Sequence, residues 1–257
     1  MNDFFINRRS VRNYSKRDVD DKMLREMLRE AAQAPTTGNM QLYSVIVTRS
    51  DEGKAALAPA HFGQPAVTGA AVVLTFCADF NRFVKWCEAS DAKPGYDNFE
   101  MFMCAVLDTA IVAQQFVTIA EMRGLGTCYM GTTTYNAPQI GAALQLPKLV
   151  VPVVTVTVGW PDGETAVSDR LPLDSFVFDE KYVERAPGEI RAFFAEKEER
   201  DGHFARENGK ETLAQVYTDI RYTRADAEHF SRVYRDYIEQ QGFRFPDSVP
   251  LIQGFCR

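Results

Sequence analysis

Strands and helices in an order compatible with a three-layer α+β fold are what this sequence predicts. Three β-branched runs, at residues 42–48, 70–78 and 150–159, read as strands. The segments between them carry helical periodicity. One of those helices, at about 98–123, is apolar on nearly every side and needs more than one covering layer.

The elements follow in order. In "VDDKMLREMLREAAQAP" (19–35), Val19, Met23, Met27 and Ala31 recur every four residues with Leu24 and Leu28 beside them, while Lys and Glu take the other face. This is an amphipathic helix with acidic residues at its start and Pro35 near its stop. "LYSVIVT" and "AAVVLTFCA" are the first two strands. "VVPVVTVTVG" is the third, and Pro152 marks an edge strand or a strand's first residues. The apolar helix is stopped by "GLG" at 124–126. Its 102–122 stretch contains Asp108, Gln114, Gln115 and Glu121, which lipid would accommodate poorly. It reads as a buried helix, and a partner subunit is a natural second cover for it. From 179 onward, long charged segments read as exposed or arm-like helices separated by a polar loop near 201–209. The expected division is a core over 1–178 and a helical extension over 179–257.

Twenty-nine Lys and Arg against 35 Asp and Glu give a net charge of −6, which argues against a broad nucleic-acid or anionic-membrane surface while leaving room for a local basic pocket. The opening "MNDFFINRRS" lacks the charged start and apolar run of a secretory signal, so the mature chain is expected to begin here. The five cysteines, at 77, 87, 104, 128 and 256, form no CxxC pair, and His61, His203 and His229 are the only histidines. Neither a disulfide framework nor a metal centre is expected, and a reducing cytoplasm is the simplest setting.

Five segments could carry chemistry. "RRSVRNYS" (8–15) is either a solvated basic run or an anion site: in an extended chain Arg8, Ser10 and Arg12 share one face and Arg9 takes the other. "APTTGNMQ" (34–41) is a polar loop in which Thr36, Thr37, Asn39 and Gln41 offer hydrogen bonds around Gly38. "GLGTCYMGTT" (124–133) is glycine-rich but neither GxGxxG nor a Walker loop, and alone it is a connector. "VGWPDGETAVSDRLPLDSF" (158–176) carries Arg170, and "HFGQPAV" (61–67) carries Gln64; each alone is a loop. Asp108 reads as a hydrogen-bonded structural carboxylate, Cys128 as a buried thiol without chemistry, and His61 as a loop residue.

Taken in order, these segments, with "LDTAIVAQQFVTIAEMRGLGTCYMG" and "VTVGWPDGETAVSDRLP", resemble the FMN-dependent nitroreductase family, and most closely its oxygen-insensitive NADPH nitroreductase and flavin reductase branch. The likeness covers roughly the first 175 residues. It implies a nitroreductase-like α/β/α sandwich with a mixed, mainly antiparallel sheet, in an intertwined homodimer with FMN at the interface. By that likeness Arg8, Ser10 and Arg170 would grip the FMN phosphate, and Arg12 would sit by the N1 and O2 side of the flavin. Thr36, Thr37, Asn39 and Gln41 would approach from the other subunit. Gln64 would meet the ring's polar edge. Tyr129, Met130, Gly131 and Thr132 would pass beside the ring, with the Gly131 N–H near flavin N5. Two departures stand out: Ser168 where relatives often carry lysine, and Thr132 where a second glycine often follows.

The implied activity passes electrons from NADPH or NADH through FMN to nitroaromatics, quinones or related acceptors in a ping-pong cycle, with no catalytic side chain and no metal. A flavin reductase supplying reduced flavin, and a non-catalytic FMN-binding redox module, are the alternatives. Arg200 and Arg206, with His203 and Lys210, could meet the 2′-phosphate of NADPH, or could form a solvated charged loop.

Overall fold

The computed structural model describes residues 3–245. Cys256, counted above, and the last residues of the expected extension lie outside them. The described backbone gathers into two compact units, one of 3–165 with 230–245 and the other of 166–229.

The first unit holds the sheet. Its strands are β1 Tyr43–Thr48, β2 Val72–Asp79, β3 Gly126–Met130 and β4 Val150–Gly159, in the order β1-β2-β4-β3. The mainly antiparallel sheet expected is antiparallel in every pairing of the described strands. Pro152 therefore lies in an inner strand rather than at an edge, among that strand's first residues, the second of the two places expected for it. Its missing N–H is tolerated because β3 pairs β4 only over 155–159, and the β2 register shifts at Phe76/Cys77, opposite it.

Alternation along the strands divides the core. Val72, Leu74, Phe76, Val156 and Val158 meet helices α1 (Asp21–Ala31) and α5 (Phe99–Met122). The other face sends Val73, Cys128 and Met130 toward α2 (Asp51–Leu57), α3 (Pro65–Gly69) and α6 (Ala137–Ala143). These are the three layers that the family resemblance implies and with which the strand and helix order is compatible. Asp20 caps α1 by accepting from the Met23 N–H at 3.0 Å, and Asn98 caps α5 by accepting from Met101 at 3.1 Å.

α5 is long and apolar enough to cross a membrane, yet Phe102, Ala105, Val112, Phe116, Val117 and Ala120 are buried within the unit. A second stripe stays open: Leu107 is 56% and Ile111 41% exposed. The short helix α4 (Asn81–Ala89) follows β2.

The second unit contains α7 (Pro187–Glu207) and α8 (Leu213–Val216), and α9 (Arg224–Gln240) crosses the division. The polar loop expected near 201–209 is mostly helix. "DGHFARE" contains enough helix formers for α7 to run to Glu207, and Gly209, at φ +65°, follows its end. The segment from 230 returns to the first unit, where Tyr237, Ile238 and Phe243 are buried with Phe80 and Phe102.

Candidate functional site

The arginine segment lies against β3 and the end of β4. Val11 donates its N–H to Thr127 O at 2.9 Å, and Ser15 donates to Trp160 O at 2.9 Å. Val11 and Tyr14 point into the core; Arg9, Arg12 and Asn13 are exposed. The Tyr14 hydroxyl reaches Val11 O at 2.7 Å and Thr157 Oγ1 at 2.7 Å, which fixes the segment at both ends. Two glycines paired across β3 and β4, Gly126 and Gly159, make room for it: a Cβ on Gly126 would lie 2.6 Å from Val11 Cβ, and one on Gly159 2.8 Å from Tyr14 Cδ1.

So held, the cationic side chains gather beside β3. Arg8 Nη1 donates to Ser10 Oγ at 3.5 Å, joining the two expected phosphate ligands. Arg8 and Arg12 both bear on the Cys128 thiol: burial pushes its pKa up, and the two guanidiniums oppose that rise. A thiol held protonated in this way is inert, in keeping with the structural reading of Cys128.

Arg8 has a second partner that sequence reasoning missed. Glu121, in the last turn of α5, lies 3.3 Å from Arg8 Nη2 and accepts from Thr127 Oγ1 at 2.5 Å. The available signal was a carboxylate at a helix C-terminus, where the helix dipole disfavours it unless a cation is close. A cavity of about 360 Å³ borders this pair, lined by Arg8, Arg9, Val11, Glu121 and Gly126 among others.

The loop of 36–42 is built around unusual backbone. Gly38, Asn39 and Gln41 have φ of +54°, +56° and +55°, and the last two carry the strain of the left-handed region. Two groups hold it, a buried carboxylate and an exposed guanidinium. The Asp108 carboxylate accepts from Thr37 N at 2.8 Å, Thr37 Oγ1 at 3.0 Å and Leu42 N at 3.2 Å. Arg82, on α4, donates to the carbonyls of Gln41 and Tyr43. Asp108 thus has the structural role its sequence position suggested. The Thr36 hydroxyl is buried without a hydrogen-bond partner, a polar group suited to an incoming ligand.

Beyond β3 the chain turns sharply. The Tyr129 hydroxyl donates to Gln114 Oε1 at 3.2 Å on the α5 side, and burial pushes its pKa up to about 12. Met130 is buried on the opposite face. Gly131 is exposed, with nothing within 4 Å of where a Cβ would stand. Thr132 is buried, and its hydroxyl lies 2.7 Å from Nδ1 of His61. The Thr132 side chain is thus turned into the protein. His61, expected in a loop, is fully buried at the end of a short 3-10 turn, its Nε2 has no partner, and burial pushes its pKa down to about 4. Asn136 Nδ2 donates to Ala60 O at 2.8 Å, tying the same two loops again. Gln64, three residues on, is half-buried at the start of α3.

The remaining expected residues lie in the second unit. Arg170 is exposed and donates from Nη1 to the carbonyls of Ser168 at 3.2 Å and Asp169 at 2.7 Å. Arg200, on α7 rather than in a loop, is engaged by two carboxylates, Asp201 at 2.7 Å and Asp169 at 3.2 Å. Arg206, also on α7, has no ion pair among the described residues. Lys210, just past α7, is bound to Asp219 at 2.7 Å.

The site residues fit a flavin mononucleotide in kind: cations and a hydroxyl for a phosphate, an orphan hydroxyl and a clamped polar loop for the body, and an open glycine turn for a flat ring. The described residues include no group of His, Cys, Asp and Glu able to hold a metal ion.

Comparison with known proteins agrees in length and shape. Residues 6–160 match the model of the nitroreductase family. The chain is 29% identical over 244 residues to FMN reductase [NAD(P)H] of Bacillus subtilis, covering 92% of this chain and 94% of that one. It is 33% identical over 174 residues to the oxygen-insensitive NADPH nitroreductase of Salmonella typhimurium, covering 68% and 71%. A crystal structure from Bacteroides fragilis superposes with a TM-score of 0.92 at 48% identity, over 94% of this chain and 99% of the other. With its family model matched across the arginine segment, all four strands and the glycine turn, the chain belongs to the nitroreductase family.

Proposed function

We propose that the chain is an FMN-dependent NAD(P)H oxidoreductase that passes electrons to nitroaromatics, quinones or related acceptors. The observation that carries this reading is the packing of Arg8, Ser10 and Arg12 against β3, at whose end the open Gly131 turn lies. The names of the two relatives, an FMN reductase and an NADPH nitroreductase, support it.

When bound, FMN would supply a two-electron centre that accepts hydride from a nicotinamide and gives electrons up to an acceptor, chemistry that no side chain here offers. The protein's part is to bind and orient. Arg8 and Ser10, with Arg170, would hold the phosphate through charge-assisted hydrogen bonds worth about 1.5 to 3 kcal/mol each. Arg12 would place positive charge where negative charge develops at the ring edge. The Gly131 amide would offer a donor that does not titrate. Gln64 would meet the ring's polar edge, beside the His61–Thr132 contact that steadies its loop.

A homodimer completes the reading. A second copy would cover Leu107 and Ile111 on α5, and the loop carrying Thr36, Thr37, Asn39 and Gln41 would then serve the flavin of the other subunit. For NADPH, Arg206 is better placed than Arg200 to meet a 2′-phosphate, because Arg200 is already engaged by Asp169 and Asp201. A cytoplasmic setting suits the free thiols of Cys77, Cys87, Cys104 and Cys128.

The direct test is purification without added flavin, followed by a visible spectrum before and after NADPH and NADH. A yellow dimer that bleaches on addition of either nucleotide and recolours with a nitroaromatic or quinone is the expected result. A colourless protein that takes up no FMN, or a yellow one that neither nucleotide bleaches, would sink the proposal.

A further inference from the structure

The contact between Arg8 and Glu121 bears on which flavins the site accepts, and the inference rests on the FMN reading above. The Glu121 side chain is only 10% exposed, and its Oε1 takes both Arg8 Nη2 and the Thr127 hydroxyl. The cation expected to bind phosphate therefore stands beside a fixed carboxylate of its own chain. A phosphate brought to Arg8 meets the attraction of one positive charge and the repulsion of one negative charge nearly as close.

Arg170, the other expected phosphate cation, directs Nη1 to two of its own neighbourhood's carbonyls. Of the two, Arg8 is the one whose guanidinium is shared with a carboxylate. The body of the flavin faces no such opposition, because the clamped 36–42 loop and the open Gly131 turn carry no carboxylate, and Asp108 of α5, which holds the loop, has its oxygens satisfied within the protein.

We infer that Glu121 is a specificity-determining residue that lowers the phosphate's share of flavin affinity, so that the site takes riboflavin nearly as readily as FMN.

The test is a fluorescence titration of the flavin-stripped full chain with FMN and with riboflavin, for the wild type and Glu121→Gln. The glutamine keeps an oxygen for Arg8 and Thr127 and removes only the charge. In the wild type, riboflavin should bind within about a hundredfold of FMN; two unshared charge-assisted contacts alone would separate them by roughly that factor or more. In Glu121→Gln, the FMN Kd should fall by about five- to tenfold while the riboflavin Kd stays within about twofold.

A wild-type ratio above a hundredfold overturns the inference, whether or not the variant folds. So does a variant in which both flavins shift by the same factor, as a purely structural ion pair would give, or in which FMN weakens. If the wild type binds neither flavin, the FMN reading falls with it, and that outcome is distinct from binding without the expected selectivity.

Discussion

Asp108 and Thr37, 71 residues apart in the chain, are joined by two hydrogen bonds: the Thr37 N–H and hydroxyl both donate to Asp108 Oδ1, at 2.8 and 3.0 Å. Oδ2 takes the Leu42 N–H at 3.2 Å, so one buried carboxylate spans both ends of the loop proposed to meet the cofactor. In Asp108→Asn, an amide nitrogen must face one set of these donors, leaving a buried N–H unpaired. A loss of about 1–3 kcal/mol follows, and more for Asp108→Ala. Urea unfolding measures the loss, and FMN retention should fall in the same order, wild type above Asn above Ala. An Asn variant with wild-type stability and flavin content would show that the loop is held by Arg82 alone.

The glycines under the arginine segment give a prediction about site geometry. In Gly126→Ala the new methyl would stand 2.6 Å from Val11 Cβ and 2.7 Å from Cγ1, so the segment carrying Arg8, Ser10 and Arg12 must shift. Overpacking of this kind costs about 1–3 kcal/mol. Flavin content should drop with it. Gly131→Ala is the control, since nothing lies within 4 Å of the added carbon, and its melting temperature should match the wild type. Equal destabilisation by both would mean the segment's close approach is not what Gly126 permits.

His61 makes stability depend on pH. Burial lowers its pKa from 6.5 to about 4, so the folded protein holds a neutral ring where the unfolded chain binds a proton. The stabilisation is complete above pH 6.5 and is lost as pH falls from there toward 4, in total about 3–4 kcal/mol. Unfolding midpoints at stepwise lower pH should show this slope. His61→Gln, which cannot take up the proton, should flatten it between pH 6.5 and 4 even if it lowers stability overall; an unchanged slope would assign the effect to carboxylates.

What the sequence revealed of all this followed the strength of the local signal. The strand at 150–159 was legible to its last residue because β-branched alternation and a terminal Gly159 mark it. The apolar helix was legible because few folds can bury such a stretch, and its caps, Asn98 and Gly124, are ordinary ones. Pro152 left edge strand and strand start open because edge or interior is a property of the whole sheet; it lies among the first residues of an inner strand, where β3 stops short of it. The 201–209 segment misled because polarity was taken for loop, when helix propensity depends on backbone freedom rather than charge. His61–Thr132 and Arg8–Glu121 join residues 71 and 113 apart in the chain, and no local pattern encodes such pairs. Alternation offered a division of the basic run by face, but its internal carboxylate partner could not be read.

The two arginines of that run should fail differently. Arg8 is part-buried and paired with Glu121, whereas Arg12 is exposed. Arg8→Ala removes a phosphate ligand and leaves Glu121 short of its cation, so FMN should bind about tenfold more weakly and the fold should lose stability. Arg12→Ala should leave stability within about 0.5 kcal/mol of wild type, as exposed substitutions do. Its effect belongs to the reaction: removing positive charge from the ring edge should slow reduction of bound flavin by NADPH about tenfold or more, followed by stopped-flow in the visible flavin band. Glu121→Gln in the Arg8→Ala background should recover stability, because the unpaired carboxylate is gone, and part of the FMN affinity, because its repulsion of the phosphate goes with it. If the two alanine variants lose flavin and reduction rate in equal measure, the run is a solvated charge cluster and the assignment of separate roles to its faces fails.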